Sequence, residues 1–128
     1  MPGRVLLDTN IVIALFSGEK VVSQRFASRE ISVSSTVLGK LYYGARKSAH
    51  TAANLARVDE FAASVKVLDC DVLTAQHYGQ IKDRLRVRGR PIPENDIWIA
   101  SVALQFGLPL ATRDDHFKEV EDLTLEAW

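Results

Sequence analysis

Three aspartates stand where carboxylates could act together. Asp8 ends the run Val-Leu-Leu-Asp-Thr-Asn at 5–10, Asp96 sits in Pro-Glu-Asn-Asp-Ile-Trp-Ile-Ala at 93–100, and Asp114 ends Leu-Pro-Leu-Ala-Thr-Arg-Asp at 108–114. Each follows an apolar strand-like run or opens a helix. In a parallel α/β sheet, strand C-terminal ends and nearby helix N-termini meet at one edge, where ligands bind. Three acids gathered there repel one another and are tolerated mainly around a cation, and such hard oxygen ligands suit Mg²⁺ or Mn²⁺. The chemistry implied is metal-assisted work on phosphate. Each acid also has a plain structural use. Asp8 suits a turn or helix cap, Asp96 the positive end of a helix, and Asp114 with Asp115 a loop before His116-Phe117. It is the set of three that calls for a common cause.

The elements that must position them follow from hydrophobic patterning. Short β-branched runs alternate with longer helical stretches, with no linker, repeat or low-complexity tract, which predicts an α/β domain over 1–128 with a parallel sheet covered by helices. Strands are expected at 5–7, 31–34, 65–68, 110–111 and 123–125, and helices at 11–16, 21–28, 37–47, 51–63, 72–88 and 96–106. Asp71 is the expected N-cap of the fifth helix, and Gly107 followed by Leu108-Pro109 the stop of the sixth. The sixth helix is apolar nearly all round, so its Trp98, Ile99 and Phe106 read as core rather than as a binding box. Of Tyr42 and Tyr43, one ring should face the core and the other a groove or partner, because adjacent helical residues point about 100° apart.

Composition narrows the classes. With 47% apolar residues a packed core is expected and disorder is not. A chain of this length buries roughly 65–70% of its unfolded surface. No apolar run approaches the roughly 20 residues of a membrane span, the start Met-Pro-Gly-Arg is not a signal peptide, and Cys70 alone makes no disulfide framework or cysteine zinc site. A cytoplasmic protein is therefore the expectation. The balance of 16 basic against 16 acidic residues excludes a strongly basic nucleic-acid sleeve but not a local basic patch. No Gly-rich phosphate loop is present. His50, His77 and His116 show no metal-ligand spacing and read as surface residues. Ser34-Ser35 lacks the turn of a nucleophile elbow. A receiver-type signalling domain would want an acidic pair after the first strand, where only Asp8 stands. A small phosphatase of the haloacid-dehalogenase type would want an acid at Asn10.

The chain resembles PIN-domain proteins, and among them the VapC toxins of bacterial toxin–antitoxin pairs. The resemblance rests on Leu-Leu-Asp-Thr-Asn (6–10), Leu-Tyr-Tyr-Gly-Ala-Arg-Lys-Ser (41–48), Pro-Ile-Pro-Glu-Asn-Asp-Ile-Trp-Ile-Ala (91–100), Ala-Thr-Arg-Asp (111–114) with His116-Phe117, and the ending Leu-Thr-Leu-Glu-Ala-Trp. It implies a three-layer α/β/α fold with a central parallel sheet of about five strands, and Mg²⁺-dependent endoribonuclease activity with Mn²⁺ as the alternative ion. It implies a homodimer and a small antitoxin whose tail blocks the site. Asp8, Asp96 and Asp114 would be the metal-site acids, with Asn10 and Thr112 holding the site's hydrogen bonds. An ion held there would polarise a phosphodiester and acidify a water, for in-line attack leaving a 5′-phosphate and a 3′-hydroxyl. RNA would be held electrostatically by Lys82, Arg84, Arg86, Arg88 and Arg90, which lead into the Asp96 motif, with Arg46-Lys47 as a second candidate. Affinity without net positive charge would be modest and salt-sensitive.

One residue departs from the pattern. PIN nucleases of this kind carry a glutamate in Glu-x-x-x-Gly on the helix after the second strand, and here the spacing survives as Lys40-Leu-Tyr-Tyr-Gly44 with lysine for the acid. Glu30 falls before the second strand and Glu60 lies on another helix, so neither replaces it. An ammonium about 4 Å from a carboxylate is worth roughly 4 kcal/mol at an effective dielectric of about 20, before desolvation. Lys40 is thus expected to turn into the acid cluster and pair with Asp8 or Asp96 in place of metal; the alternative is that its stem carries the charge out to solvent. Glu to Lys needs a single base change, and a toxic nuclease made without its antitoxin would be selected for such damage. A naturally altered member and a misplaced motif are the other origins. Two functions remain: an endoribonuclease toxin impaired by Lys40, and a catalytically silent PIN-fold protein that binds antitoxin or RNA.

Overall fold

The computed structural model describes residues 3–128. Five strands, β1 (Arg4–Leu7), β2 (Glu30–Ser34), β3 (Lys66–Leu68), β4 (Leu110–Ala111) and β5 (Leu125–Glu126), form one sheet in the order β3-β2-β1-β4-β5, and every pairing is parallel. Six helices flank it: α1 (Thr9–Phe16), α2 (Lys20–Ser28), α3 (Ser35–Arg46), α4 (Thr51–Ser64), α5 (Val72–Arg88) and α6 (Glu94–Phe106). This is the expected α/β arrangement. Val5, Leu6 and Leu7 of β1 are wholly buried, as a central parallel strand covered on both faces must be. α6 is largely the core helix its sequence predicts, with Ile97, Ile99, Ala100, Val102 and Ala103 buried, but two aromatics expected in the core are not: Phe106, at the helix end beside Gly107, is 38% exposed, and Trp98 is half-buried and stacked on Tyr78.

The sheet order reverses direction between β1 and β4, which makes the gap above those two strands the natural ligand crevice. In the register of this pair Leu7 lies beside Ala111, so the next residues, Asp8 and Thr112, emerge side by side. The Asp8 amide donates to the Ala111 carbonyl at 2.9 Å and fixes that alignment.

Helix ends carry the expected punctuation. Asp71 caps α5 in a capping box with Thr74, and Gly89 and Gly107 end α5 and α6 in the left-handed region at φ 66° and 63°. α1 and α3 begin earlier than patterning alone predicts, because polar caps extend them backwards. Asp8 accepts from the Thr9 amide and starts α1 at Thr9, and Ser34 accepts from the Val37 amide and starts α3 at Ser35. α6 starts at Glu94, which places Asp96 inside its first turn. The last strand is displaced from the expected 123–125 to Leu125–Glu126. Asp122 takes a left-handed turn at φ 66°, and Leu110 and Ala111 then pair with Leu125 and Glu126. Residues expected as loop after Asp114 form a short 3₁₀ helix, Asp115–Glu119. Among the described residues no helix is long and apolar enough to cross a membrane.

Candidate active site

At the C-terminal edge of the sheet the side chains of Asp8, Thr112, Asp114, His116 and Asp96 form one connected chain of hydrogen bonds. Asp8 is 3% exposed, and both of its oxygens are engaged: Oδ1 accepts from the Thr9 amide at 2.7 Å and Oδ2 from the Thr112 hydroxyl at 2.7 Å. The same Thr112 oxygen accepts from the Asp114 amide at 3.0 Å. The Asp114 carboxylate accepts from the His116 amide at 3.0 Å, and the His116 ring nitrogen Nδ1 lies 3.0 Å from Asp114 Oδ1 and 3.2 Å from Asp96 Oδ2. Asp96 itself is buried. Burial pushes its carboxyl above the usual carboxylate range; the bond to His116 works against that, the negative charges of Asp8 and Asp114 add to it, and the charge of Lys40 opposes it. The aspartates therefore feel one another across the site, as acids around a cation would.

Asn10 lies on the adjoining turn of α1, where its side-chain oxygen receives the Arg113 amide at 3.4 Å. The Arg113 guanidinium reaches away to Glu19 at 2.7 Å and to the Trp128 carbonyl at 3.0 Å, so the turn carrying Asp114 is tied to α2's approach and to the last residues of the chain.

Lys40 does not do what its charge predicts. Among the described residues it forms an ion pair with no carboxylate, so the expected salt bridge to Asp8 or Asp96 is absent. Lys40 is half-buried and lines a groove of about 260 Å³ with Thr9, Ile13, Leu41, Asn54 and Arg57, close enough to act on Asp96 through space. The Thr9 hydroxyl in that groove is buried without a hydrogen-bond partner among the described residues. Ile13 is 52% exposed, and the apolar surface continues past Phe16 to Phe26 and Phe61. Of the two adjacent tyrosines, Tyr42 packs against the core and donates to Asp59, while Tyr43 is exposed beneath Lys47.

The basic stretch before Asp96 is largely neutralised. Lys82 pairs with Glu94 at 2.5 Å, Arg86 with Asp83 at 2.8 Å, and Arg88 with Glu119 at 3.0 Å and Glu121 at 3.6 Å. Arg84 and Arg90, and Arg46 on α3, are exposed without an ion pair among the described residues. A cavity of about 600 Å³ lies between α5 and the 89–93 connection, lined by Leu85, Arg86, Pro91, Ile92 and Ile97, and none of the three site aspartates lines it.

His116 is the site residue that sequence spacing missed. Read as a surface histidine, it is half-exposed but sits between two of the three acids. One ligand atom each from Asp96, Asp114 and His116 lie within 4.8 Å of one another, a donor set that can hold a divalent cation. A signal was present in Asp114-Asp-His116, since a turn brings residues two apart to one side, but nothing local tells on which side Asp96 will arrive.

The family model for the PIN domain matches residues 5–123. The chain is 36% identical to "Ribonuclease VapC2" of Haemophilus influenzae and 36% identical to the "tRNA(fMet)-specific endonuclease VapC" of Shigella flexneri, with 98% of each chain covered in both cases. Its fold superposes with a TM-score of 0.91 on a chain of DNA-bound VapBC from Salmonella typhimurium, at 34% identity over 100% of this chain and 99% of that one.

Proposed function

The chain belongs to the PIN-domain family, and on that premise we propose that it is a metal-dependent endoribonuclease, the toxin of a toxin–antitoxin pair, working with Mg²⁺ or Mn²⁺. The observation that carries this reading is the convergence of Asp8, Asp114 and Asp96 through Thr112 and His116 at the sheet's switch point. The donor set fits a hard divalent cation, because burial and the negative charges of Asp8 and Asp114 raise the Asp96 carboxyl, a cost that a positive charge beside it relieves. Asp96 and Asp114 would hold it, with Asp8 behind them. Bound there, such an ion supplies charge neutralisation for a phosphodiester and a more acidic water.

The protein's own residues supply the rest. Thr112 fixes the Asp8 carboxylate and the Asp114 backbone with one hydroxyl, so two acids from distant parts of the chain share a single anchor. Asn10 steadies the Arg113 peptide and with it the turn that presents Asp114. Of the basic residues expected to hold RNA, Arg84, Arg90 and Arg46 form no ion pair among the described residues and are available to RNA phosphates. The groove beside Lys40 and its apolar continuation suit a segment of a small antitoxin, and related structures are VapBC complexes. We also propose a homodimer.

Lys40 supports a second reading, a silent PIN-fold protein that binds antitoxin or RNA. It puts an ammonium at the position of an expected fourth acid, which takes the site from a formal charge of about −4 to about −2. Because it forms no salt bridge, it weakens cation binding without blocking it. The test is cleavage of end-labelled RNA with Mg²⁺, with Mn²⁺ and with chelator. Cleavage that needs metal and is lost in Asp8→Asn supports the nuclease. Metal-independent cleavage, or cleavage that survives Asp8→Asn, overturns it. No cleavage together with tight antitoxin binding favours the silent protein.

A further inference from the structure

We infer that His116 is an imidazole ligand of this site's divalent cation and turns the site from Mg²⁺ towards Mn²⁺. The inference rests on the metal-dependent reading above.

The geometry comes first. The His116 ring nitrogen stands 3.0 Å from Asp114 and 3.2 Å from Asp96, and donor atoms of all three lie within 4.8 Å of one another. The fold imposes this position. The His116 amide donates to Asp114, and the next residue, Phe117, is wholly buried, so the 3₁₀ helix cannot swing outward without drawing an aromatic ring from the core. The ring itself is half-exposed, with Nδ1 already turned towards both carboxylates.

Charge comes second. Asp8, Asp96 and Asp114 with Lys40 leave a formal charge of about −2, which one divalent cation neutralises. A site short of one carboxylate still needs donors, and a neutral nitrogen adds one without adding charge. Mg²⁺ and Mn²⁺ both take carboxylate and water oxygens, but Mn²⁺, a transition ion, accepts an imidazole nitrogen more readily than Mg²⁺ does. The competing use of His116 is a tie between two carboxylates that never touches metal, and it predicts no change of metal preference.

The test is pulsed electron paramagnetic resonance of Mn²⁺ added to the full chain, with titrations of Mn²⁺ and Mg²⁺ beside it. Imidazole ligation gives nitrogen hyperfine coupling at the bound Mn²⁺. It should shift when the histidines carry heavy nitrogen, vanish in His116→Ala, and persist in the His50→Ala, His77→Ala double variant, which keeps the assignment secure even if His116→Ala folds poorly. Mn²⁺ affinity should fall by about tenfold or more in His116→Ala, while Mg²⁺ affinity changes far less. Bound Mn²⁺ without nitrogen coupling overturns the inference and leaves the carboxylate site standing. No Mn²⁺ binding at millimolar concentration overturns both the inference and the metal-dependent reading.

Discussion

The Thr112 hydroxyl donates to the Asp8 carboxylate at 2.7 Å, joining residues 104 positions apart, and accepts from the Asp114 amide with the same oxygen. The contact follows from sheet register. Leu7 and Ala111 are paired across β1 and β4, so the residues that follow them meet at the edge.

Thr112→Val keeps the shape and removes the hydroxyl. A buried, charged acceptor then loses a partner, which costs about 1–3 kcal/mol. Thermal unfolding should show a drop of roughly 3–10 °C, and RNA cleavage should fall further than stability accounts for, because Asp8 and Asp114 lose their common anchor. Unchanged melting and unchanged cleavage would remove Thr112 from the site.

Asp96→Asn should stabilise the metal-free protein at neutral pH. Burial holds the Asp96 carboxyl above its usual range, and Asp8 and Asp114 add to the effect, so its ionised form is a cost to the folded state. Calorimetry in chelator should find the melting temperature raised by about 3–5 °C for a gain of roughly 1 kcal/mol, with cleavage abolished. A lower melting temperature would mean that Asp96 is mainly structural.

A pH dependence comes from an ion pair that reaches from the start of β2 to the edge strand β5. Arg29 grips Glu126 through two bonds of 2.7 and 2.9 Å, with side chains 20% and 27% exposed. The Arg29 partnership holds the Glu126 carboxyl below its usual value of 4.5. Its contribution is therefore complete above that value and is lost as pH falls through the lower, folded-state one. Glu126→Gln should cost about 1 kcal/mol at pH 7, and the difference from the parent should shrink on acidification below 4.5. A gap that stays constant down to acid unfolding would rule out an ionic origin.

The fold was largely legible because its signals are local. Val5 to Leu7 read as a buried strand, Asp71 as a cap and Gly107 as a stop, and each depends on neighbours in sequence. What was not legible depends on parts that meet only after folding. Asp8 and Asp114 could be placed at one edge by topology, but not the backbone partner of Asp8, the histidine that meets Asp96, or the course of the Lys40 side chain, which forms no ion pair among the described residues. The arginines after Lys82 read as a basic patch because Glu119 and Glu121, which neutralise Arg88, are distant in sequence, Glu119 by 31 residues, but adjacent in space. His116 was invisible as a site residue for the same reason: Asp96 reaches it from another helix.

The central claim is that this acid cluster cleaves RNA with a divalent cation and that Lys40 holds it back. The most direct measurement is the single-turnover rate of labelled-RNA cleavage by the chain and by Lys40→Glu, side by side, across Mn²⁺ concentration. The account predicts metal-dependent cleavage by both. Lys40→Glu should reach half-maximal rate at a Mn²⁺ concentration lower by about tenfold or more, because the ion then meets an additional carboxylate instead of an ammonium. Equal rates and equal metal dependence for the two proteins would contradict it.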